Sequence, residues 1–80
     1  MLASLTLIER TDRQLVYSFS EVEGILDGRV VVPLDDIRNA AITEQPEHME
    51  NKMCSRKVFA KLLRMCLNGD YPEKVFYACG

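Results

Sequence analysis

Hydrophobic and polar residues alternate along the first twenty positions of the chain. The run Leu2–Glu9 alternates in this way, and within Gln14–Ser20 every second side chain from Leu15 to Phe19 is large and apolar. A period of two residues is typical of a half-buried antiparallel strand. The polar segment between the two runs, residues 10–13, fits a hairpin turn. The pattern therefore predicts two antiparallel strands.

A third strand is predicted by the turn signal Asp27-Gly28, which separates two apolar runs. Asp-Gly favours the positive backbone φ that a type I′ hairpin turn requires. We expect Val22–Leu26 to prolong the second strand, with Gly24 as a bulge or bend, and residues 30–32 to form the third. Because proline cannot donate a hydrogen bond, Pro33 should end that strand or place it at a sheet edge.

The segment Leu34–Ile42 permits two interpretations. Asp35 or Asp36 can cap a short helix that carries the following apolar residues. The same residues can instead form a fourth strand. We favour the short helix.

A long amphipathic helix is predicted from about Pro46 to Asn68. Thr43 is a candidate cap, and a proline and acidic residues suit the first turn of a helix. A later beginning, with Ser55 as the cap, is the alternative. Asn68 followed by glycine is an ordinary C-terminal signal. The β-branched and aromatic run Val75–Cys79 then predicts a final strand.

These elements predict a single small α+β domain over residues 1–80. Three strands form an antiparallel β-meander with an Asp-Gly hairpin, and a short helix or strand follows. The long amphipathic helix and the final strand come next, with the helix packed on one face of the sheet. A chain of 80 residues has no room for a second core.

Charge is distributed unevenly along a chain whose net charge is only −2. Residues 1–50 carry four basic and ten acidic side chains, whereas residues 51–69 carry five basic and none acidic. On the predicted helix, Lys57, Lys61 and Arg64 form a narrow stripe. This stripe is either a solvated face or a set of phosphate contacts, so a nucleic-acid-binding or regulatory protein is the alternative function.

The apolar face of the helix is wider than one sheet requires. It spans about 220°, whereas a surface helix needs a stripe of about 100°. Either Leu34–Ile42 packs over one flank, or that flank is an interface for a protein partner or a second copy of the chain. The predicted interface residues are Met49, Met53, Phe59, Leu63 and Leu67.

Candidate catalytic and metal-binding groups are sparse. His48 is the only histidine, and it lies on a different helix face from Cys54. Cys54 and Cys66 occupy apolar helix positions, where a thiol behaves as a small hydrophobic group. The sequence has no nucleophilic serine motif and no phosphate-binding loop. We expect no enzymatic activity, no catalytic residues, no metal and no cofactor.

The remaining features concern compartment and partners. Three cysteines without paired spacing suggest reduced thiols, and no apolar run reaches the length of a membrane span. The N-terminal residues lack the pattern of a signal peptide. We therefore expect a cytoplasmic protein without a membrane partner. The favoured function is a small binding or accessory module that acts through protein–protein contacts, most simply as a homodimer.

Overall fold

The computed structural model describes residues 2–20, 28–44 and 52–78, and within these ranges the chain forms five strands, one α-helix and one 3₁₀ turn. The strands build one antiparallel sheet in the order β4-β3-β2-β1-β5. The predicted α+β class is therefore confirmed. The elements are β1 (Leu2–Arg10), β2 (Gln14–Ser20), β3 (Gly28–Pro33), the 3₁₀ turn (Ile37–Asn39), β4 (Ala41–Glu44), α1 (Lys52–Leu67) and β5 (Lys74–Ala78).

The first hairpin follows the alternating pattern of the sequence. Leu7 lies opposite Tyr17 in β2, and the register then shifts so that Ile8 is the extra residue of a β-bulge before Glu9. The turn is closed by Thr11, whose backbone N–H donates to the Gln14 carbonyl at 3.0 Å. The Thr11 hydroxyl accepts a hydrogen bond from the Gln14 N–H at 3.1 Å. Both predicted strands are confirmed, and β2 covers the predicted run Gln14–Ser20.

Pro33 is the last residue of β3, as predicted. The strand lies between β2 and β4 rather than at an edge. The predicted Asp27-Gly28 hairpin turn is wrong for Gly28, which lies in β3 opposite Phe19 rather than in a turn. The predicted extension Val22–Leu26, the bend at Gly24 and Asp27 lie outside the described residues.

The segment after β3 contains both of the predicted alternatives. The 3₁₀ turn is closed by a hydrogen bond from the Ala40 N–H to the Ile37 carbonyl, and Asp36 precedes it without a side-chain capping bond. The favoured short helix is wrong for Ala41 and Ile42, which lie in β4 opposite Val31 and Val30. A short isolated helix gains little, whereas pairing with β3 supplies hydrogen-bond partners for the backbone.

The caps predicted for the long helix are wrong. Thr43 lies in β4, where its side chain points toward the Arg29 carbonyl at 3.5 Å. Ser55 lies inside α1 rather than before it. The beginning predicted near Pro46 falls outside the described residues.

The end of α1 confirms the glycine signal. The Gly69 N–H donates to the Cys66 carbonyl at 3.0 Å, and the Asp70 N–H donates to the Met65 carbonyl at 2.9 Å. Gly69 has a φ of +82°. This pair of bonds with a left-handed residue is a Schellman motif, which satisfies carbonyls at the end of the helix.

One apolar core joins the sheet to the helix. Helix α1 contacts β1 and β5, and the 3₁₀ turn contacts both α1 and β3. The half-buried side chains of Leu34, Ile37 and Ala40 pack against the same core. The buried core consists of Ala3, Leu5, Leu15, Tyr17, Val30, Val32, Val58, Leu62, Cys66 and Val75.

Candidate functional site

One face of α1 packs against the sheet and forms part of the core. Val58, Leu62 and Cys66 recur at intervals of four residues and are fully buried against the sheet. Phe59 and Met65 flank this row and also pack against the core. These positions account for the apolar stripe that a helix needs to cover a sheet.

The opposite face of α1 carries a second row of positions, spaced by three and four residues. Positions recurring in this way lie along one side of a helix. At 100° per residue, the row is centred about 140° from the buried row. We call these residues the outer row: Met53, Arg56, Ala60, Leu63 and Leu67.

The outer row faces solvent along the described part of its length. Leu67 is 51% exposed, Leu63 is half-buried, and Arg56 and Ala60 are exposed. Met53 belongs to the row by its position on the helix. A second row with apolar positions on the solvent side is not needed to hold α1 on the sheet.

Basic side chains border the outer row. Lys57 and Arg64 are exposed and lie seven residues apart, beside Ala60 and Leu67 on the helix surface. Helix α1 contains five basic residues and no acidic residue. The surface therefore combines apolar groups with positive charge that no acidic residue of α1 balances.

Lys61, the remaining residue of the predicted basic stripe, makes a contact within the fold. Its Nζ donates to the Phe76 carbonyl in β5 at 2.8 Å. The Leu7 N–H donates to the Glu73 carbonyl, so the carbonyl of Glu73 faces β1. Hydrogen-bonded and non-hydrogen-bonded residues alternate along an antiparallel strand. The carbonyl of Phe76, three residues further on, therefore faces away from β1. Lys61 thus covers an acceptor on the outer edge of the sheet.

The structure separates the predicted interface residues into three groups. Leu63 and Leu67 lie on the outer row, as does Met53 by position. Phe59 is half-buried and packs against the core. Met49 lies outside the described residues. The interface itself stays a prediction.

Two members of the outer row were missed by sequence reasoning. Neither Arg56 nor Ala60 is among the interface residues that the sequence predicts. The signal that identifies them is a seven-residue repeat, which relates Arg56 to Leu63 and Met53 to Ala60 and Leu67.

The buried polar groups near the end of α1 stabilise the fold and are poor candidates for chemistry. The Tyr17 hydroxyl donates to the Pro72 carbonyl at 2.6 Å. Burial raises the pKa of Tyr17 to about 12, with smaller contributions from Cys66 and Asp70. Burial, together with the Asp70 carboxylate, also raises the pKa of the Cys66 thiol. A buried, protonated thiol is a weak nucleophile.

The other predicted chemical groups give no assembled site in the described residues. His48 and Cys79 lie outside them, and only the helix position of Cys54 is described. Among residues 2–20, 28–44 and 52–78, no group of three or more His, Cys, Asp or Glu side chains is placed to hold a metal ion.

The exposed apolar surface on the sheet face opposite α1 is less continuous than that of the outer row. Val16 pairs with Val31 across the sheet, and Ile8, which is 46% exposed, lies beside them at the bulge. Next to this row, Ser18 is buried, and its hydroxyl has no hydrogen-bond partner in the described part of the chain. Small polar residues thus interrupt the apolar surface.

Comparisons with known proteins give no relatives. No family model, no curated protein and no solved structure matches the chain. Function is therefore inferred from exposure, contacts and charge.

The length and hydropathy of the helix give one further finding. Across the described ranges, no helix is both long enough and apolar enough to cross a membrane.

Proposed function

We propose that this chain is a small non-catalytic binding module that acts through protein–protein contacts at the outer row of α1. The observation that carries the proposal is the exposure of Leu67, at 51%, in line with the half-buried Leu63. Neither leucine belongs to the buried core, because the opposite helix face already fills the space above the sheet.

The size of the surface favours a reversible complex. Burial of a leucine side chain contributes roughly 1.5–3 kcal/mol, so Leu63 and Leu67 together contribute at most about 6 kcal/mol. Association costs much of this through lost translational and rotational freedom. Additional contacts, including those to the bordering Lys57 and Arg64, are needed for a stable complex.

The contact of Lys61 with the Phe76 carbonyl limits how this residue could serve the alternative function. In a phosphate-binding stripe of Lys57, Lys61 and Arg64, the Lys61 ammonium would have two of its three N–H groups left for a phosphate, and its position would be limited by the 2.8 Å hydrogen bond to the Phe76 carbonyl. Nucleic-acid binding also gives no role to Leu63 and Leu67. The alternative therefore stays a prediction that the same experiment addresses.

Charge substitution on two surfaces tests the proposal. Leu67→Glu and Leu63→Glu place a carboxylate on the outer row, and Ile8→Glu places one at an exposed apolar position on the sheet. Each variant and the parent chain are examined for self-association by light scattering, for capture of proteins from cell extract, and for binding of mixed DNA and RNA oligonucleotides. Urea unfolding of each variant verifies that it is folded.

The expected result is a protein association, to itself or to a captured protein, that Leu63→Glu and Leu67→Glu abolish and Ile8→Glu retains. Equal loss of association in all three variants would contradict the proposal, because the association would then not depend on the outer row. Binding of oligonucleotides alone would contradict it as well and would favour the alternative function.

A further inference from the structure

We infer that the partner of the outer row is an amphipathic helix whose flanking positions carry acidic side chains. The inference rests on the proposed function, which requires only that a protein binds there. It adds the secondary structure and the charge of that protein.

The spacing of the outer row indicates a helical partner. Met53, Ala60 and Leu67 are seven residues apart, and Arg56 and Leu63 interleave with them at the same interval. This is the repeat through which one helix packs along another. An extended peptide would instead pair with a sheet edge and use side chains with a period of two. The row from Met53 to Leu67 is about 21 Å long, which is two heptads.

Ala60 makes a close helix–helix approach feasible. It is exposed and lies at the middle of the row, with larger side chains on either side along the helix. The distance between packed helices depends on the size of the side chains at their contact. A partner side chain can therefore occupy the space over Ala60, between Arg56 and Leu63.

The charge of the border indicates an acidic partner. Lys57 and Arg64 hold the same position in successive heptads, next to the outer row. In packed helices, residues at this position contact the flanking residues of the partner helix and determine which partner binds. Arg56 lies within the row itself. All three are exposed, and α1 carries no carboxylate that could neutralise them. Glutamate or aspartate on the partner would supply the missing charge.

The same argument disfavours a second copy of this chain as the partner. Two α1 helices packed along their outer rows would bring Arg56, Lys57 and Arg64 of one copy near the same residues of the other. Like charges across an interface oppose association. The homodimer expected from the sequence would therefore have to use another surface.

Three designed peptides of three heptads each serve as probes for the full chain. The first has leucine in its apolar positions and glutamate in its flanking positions. The second keeps the leucines and replaces the glutamates with lysine. The third has the composition of the first in scrambled order. Binding is measured by fluorescence anisotropy at an ionic strength of about 0.15 M, where long-range attraction is screened.

The first peptide is expected to bind at least about tenfold more tightly than either of the others. Leu67→Glu should weaken this binding by about tenfold or more. The double variant Lys57→Glu/Arg64→Glu should invert the preference in favour of the lysine peptide. A matched control, Arg13→Glu/Arg38→Glu, changes the net charge equally at exposed positions outside α1 and should leave affinity within about twofold.

Different failures identify different errors. Equal binding of the glutamate and lysine peptides would overturn the charge of the partner and leave the proposed function standing. Equal binding of the scrambled peptide would overturn the helical partner. A homodimer that Leu67→Glu dissociates would overturn the inference in favour of a second copy. If no peptide binds, but Leu67→Glu still abolishes a protein association that Ile8→Glu retains, the inference about the partner fails and the proposed function stands.

Discussion

The Tyr17 hydroxyl donates a hydrogen bond of 2.6 Å to the carbonyl oxygen of Pro72. Tyr17 lies in β2, the middle strand of the sheet, and its side chain is fully buried. Pro72 lies in the connection between α1 and β5. The bond therefore ties the centre of the core to the segment that leads to an edge strand, and it satisfies the polar end of a buried aromatic residue.

Replacement of Tyr17 by phenylalanine should lower the free energy of unfolding by about 1–2 kcal/mol, because the Pro72 carbonyl loses its donor. Urea unfolding followed by circular dichroism measures the change. Tyr71→Phe is the matched control, since it keeps the ring that lies 5.8 Å from the Arg10 guanidinium. Equal effects of the two substitutions would contradict a specific role for the Tyr17–Pro72 bond.

Stability should fall at alkaline pH through the same residue. Burial raises the pKa of Tyr17 from its ordinary value of 10.0 to about 12. The unfolded chain therefore releases this proton first, so the contribution of Tyr17 is complete below pH 10 and is lost progressively up to about pH 12. Cys66, whose pKa is raised from 9.0, starts the decline earlier.

Thermal unfolding between pH 8 and pH 12, under reducing conditions, tests this dependence. The midpoint of the parent chain should decrease steeply above about pH 10. Tyr17→Phe should show a smaller decrease over the same interval, because it has no hydroxyl to titrate in the core. Parallel curves for the two proteins would show that Tyr17 does not cause the alkaline decline.

The elements that the sequence predicts well depend on local patterns. Strand β2 follows from the alternation of apolar and polar residues within Gln14–Ser20. The end of α1 follows from Gly69, which adopts the left-handed conformation that glycine favours. In both cases, the residues that decide the structure are neighbours in the chain.

The elements that the sequence predicts poorly depend on distant partners. Ala41 and Ile42 form a strand because β3 lies beside them, and nothing in Leu34–Ile42 specifies that pairing. The position of β5 next to β1 likewise joins the two ends of the described chain. Local sequence does not encode which strand edge is available.

The candidate site was only half predictable for a related reason. A helical wheel measures the width of the apolar arc but not which part of it faces the sheet. The structure fixes that direction through Val58 and Leu62, which are fully buried. Phe59 then falls beside the core, whereas Leu63 and Leu67 fall on the outer row.

Gly69→Ala should lower the free energy of unfolding by about 1 kcal/mol. The φ of +82° is unfavourable for a residue with a Cβ, whereas no described heavy atom beyond Gly69 and its two chain neighbours lies within 4 Å of the position that this Cβ would occupy. The loss of stability therefore comes from the backbone conformation alone, and not from a steric clash of the Cβ. Gly69→Asn should be milder, because asparagine tolerates the left-handed region. Similar losses for the two variants, by urea unfolding, would contradict this origin.

The two faces of α1 should respond differently to the same substitution. Leu62→Ala should cost about 2–5 kcal/mol, because Leu62 is fully buried in the core. Leu67→Ala should change the free energy of unfolding by no more than about 0.5 kcal/mol, since surface substitutions are usually small. A large loss in Leu67→Ala would mean that the outer row stabilises the fold rather than a complex.

Lys61→Ala should promote association through the edge of β5. The substitution removes the donor that lies 2.8 Å from the Phe76 carbonyl, so a backbone acceptor at the sheet edge becomes available to another chain. The expected result is a rise in concentration-dependent light scattering and in thioflavin fluorescence. The free energy of unfolding should fall by no more than about 1 kcal/mol, because the contact is exposed.

Lys57→Ala provides the matched control for this experiment. It removes the same charge from the same helix at an exposed position on the outer-row border, where no Phe76 contact is lost. If edge protection is the cause, Lys61→Ala should associate at lower protein concentration than Lys57→Ala. Equal association of both variants would instead attribute the effect to reduced charge repulsion. Lys61 would then have no specific role at the edge of β5.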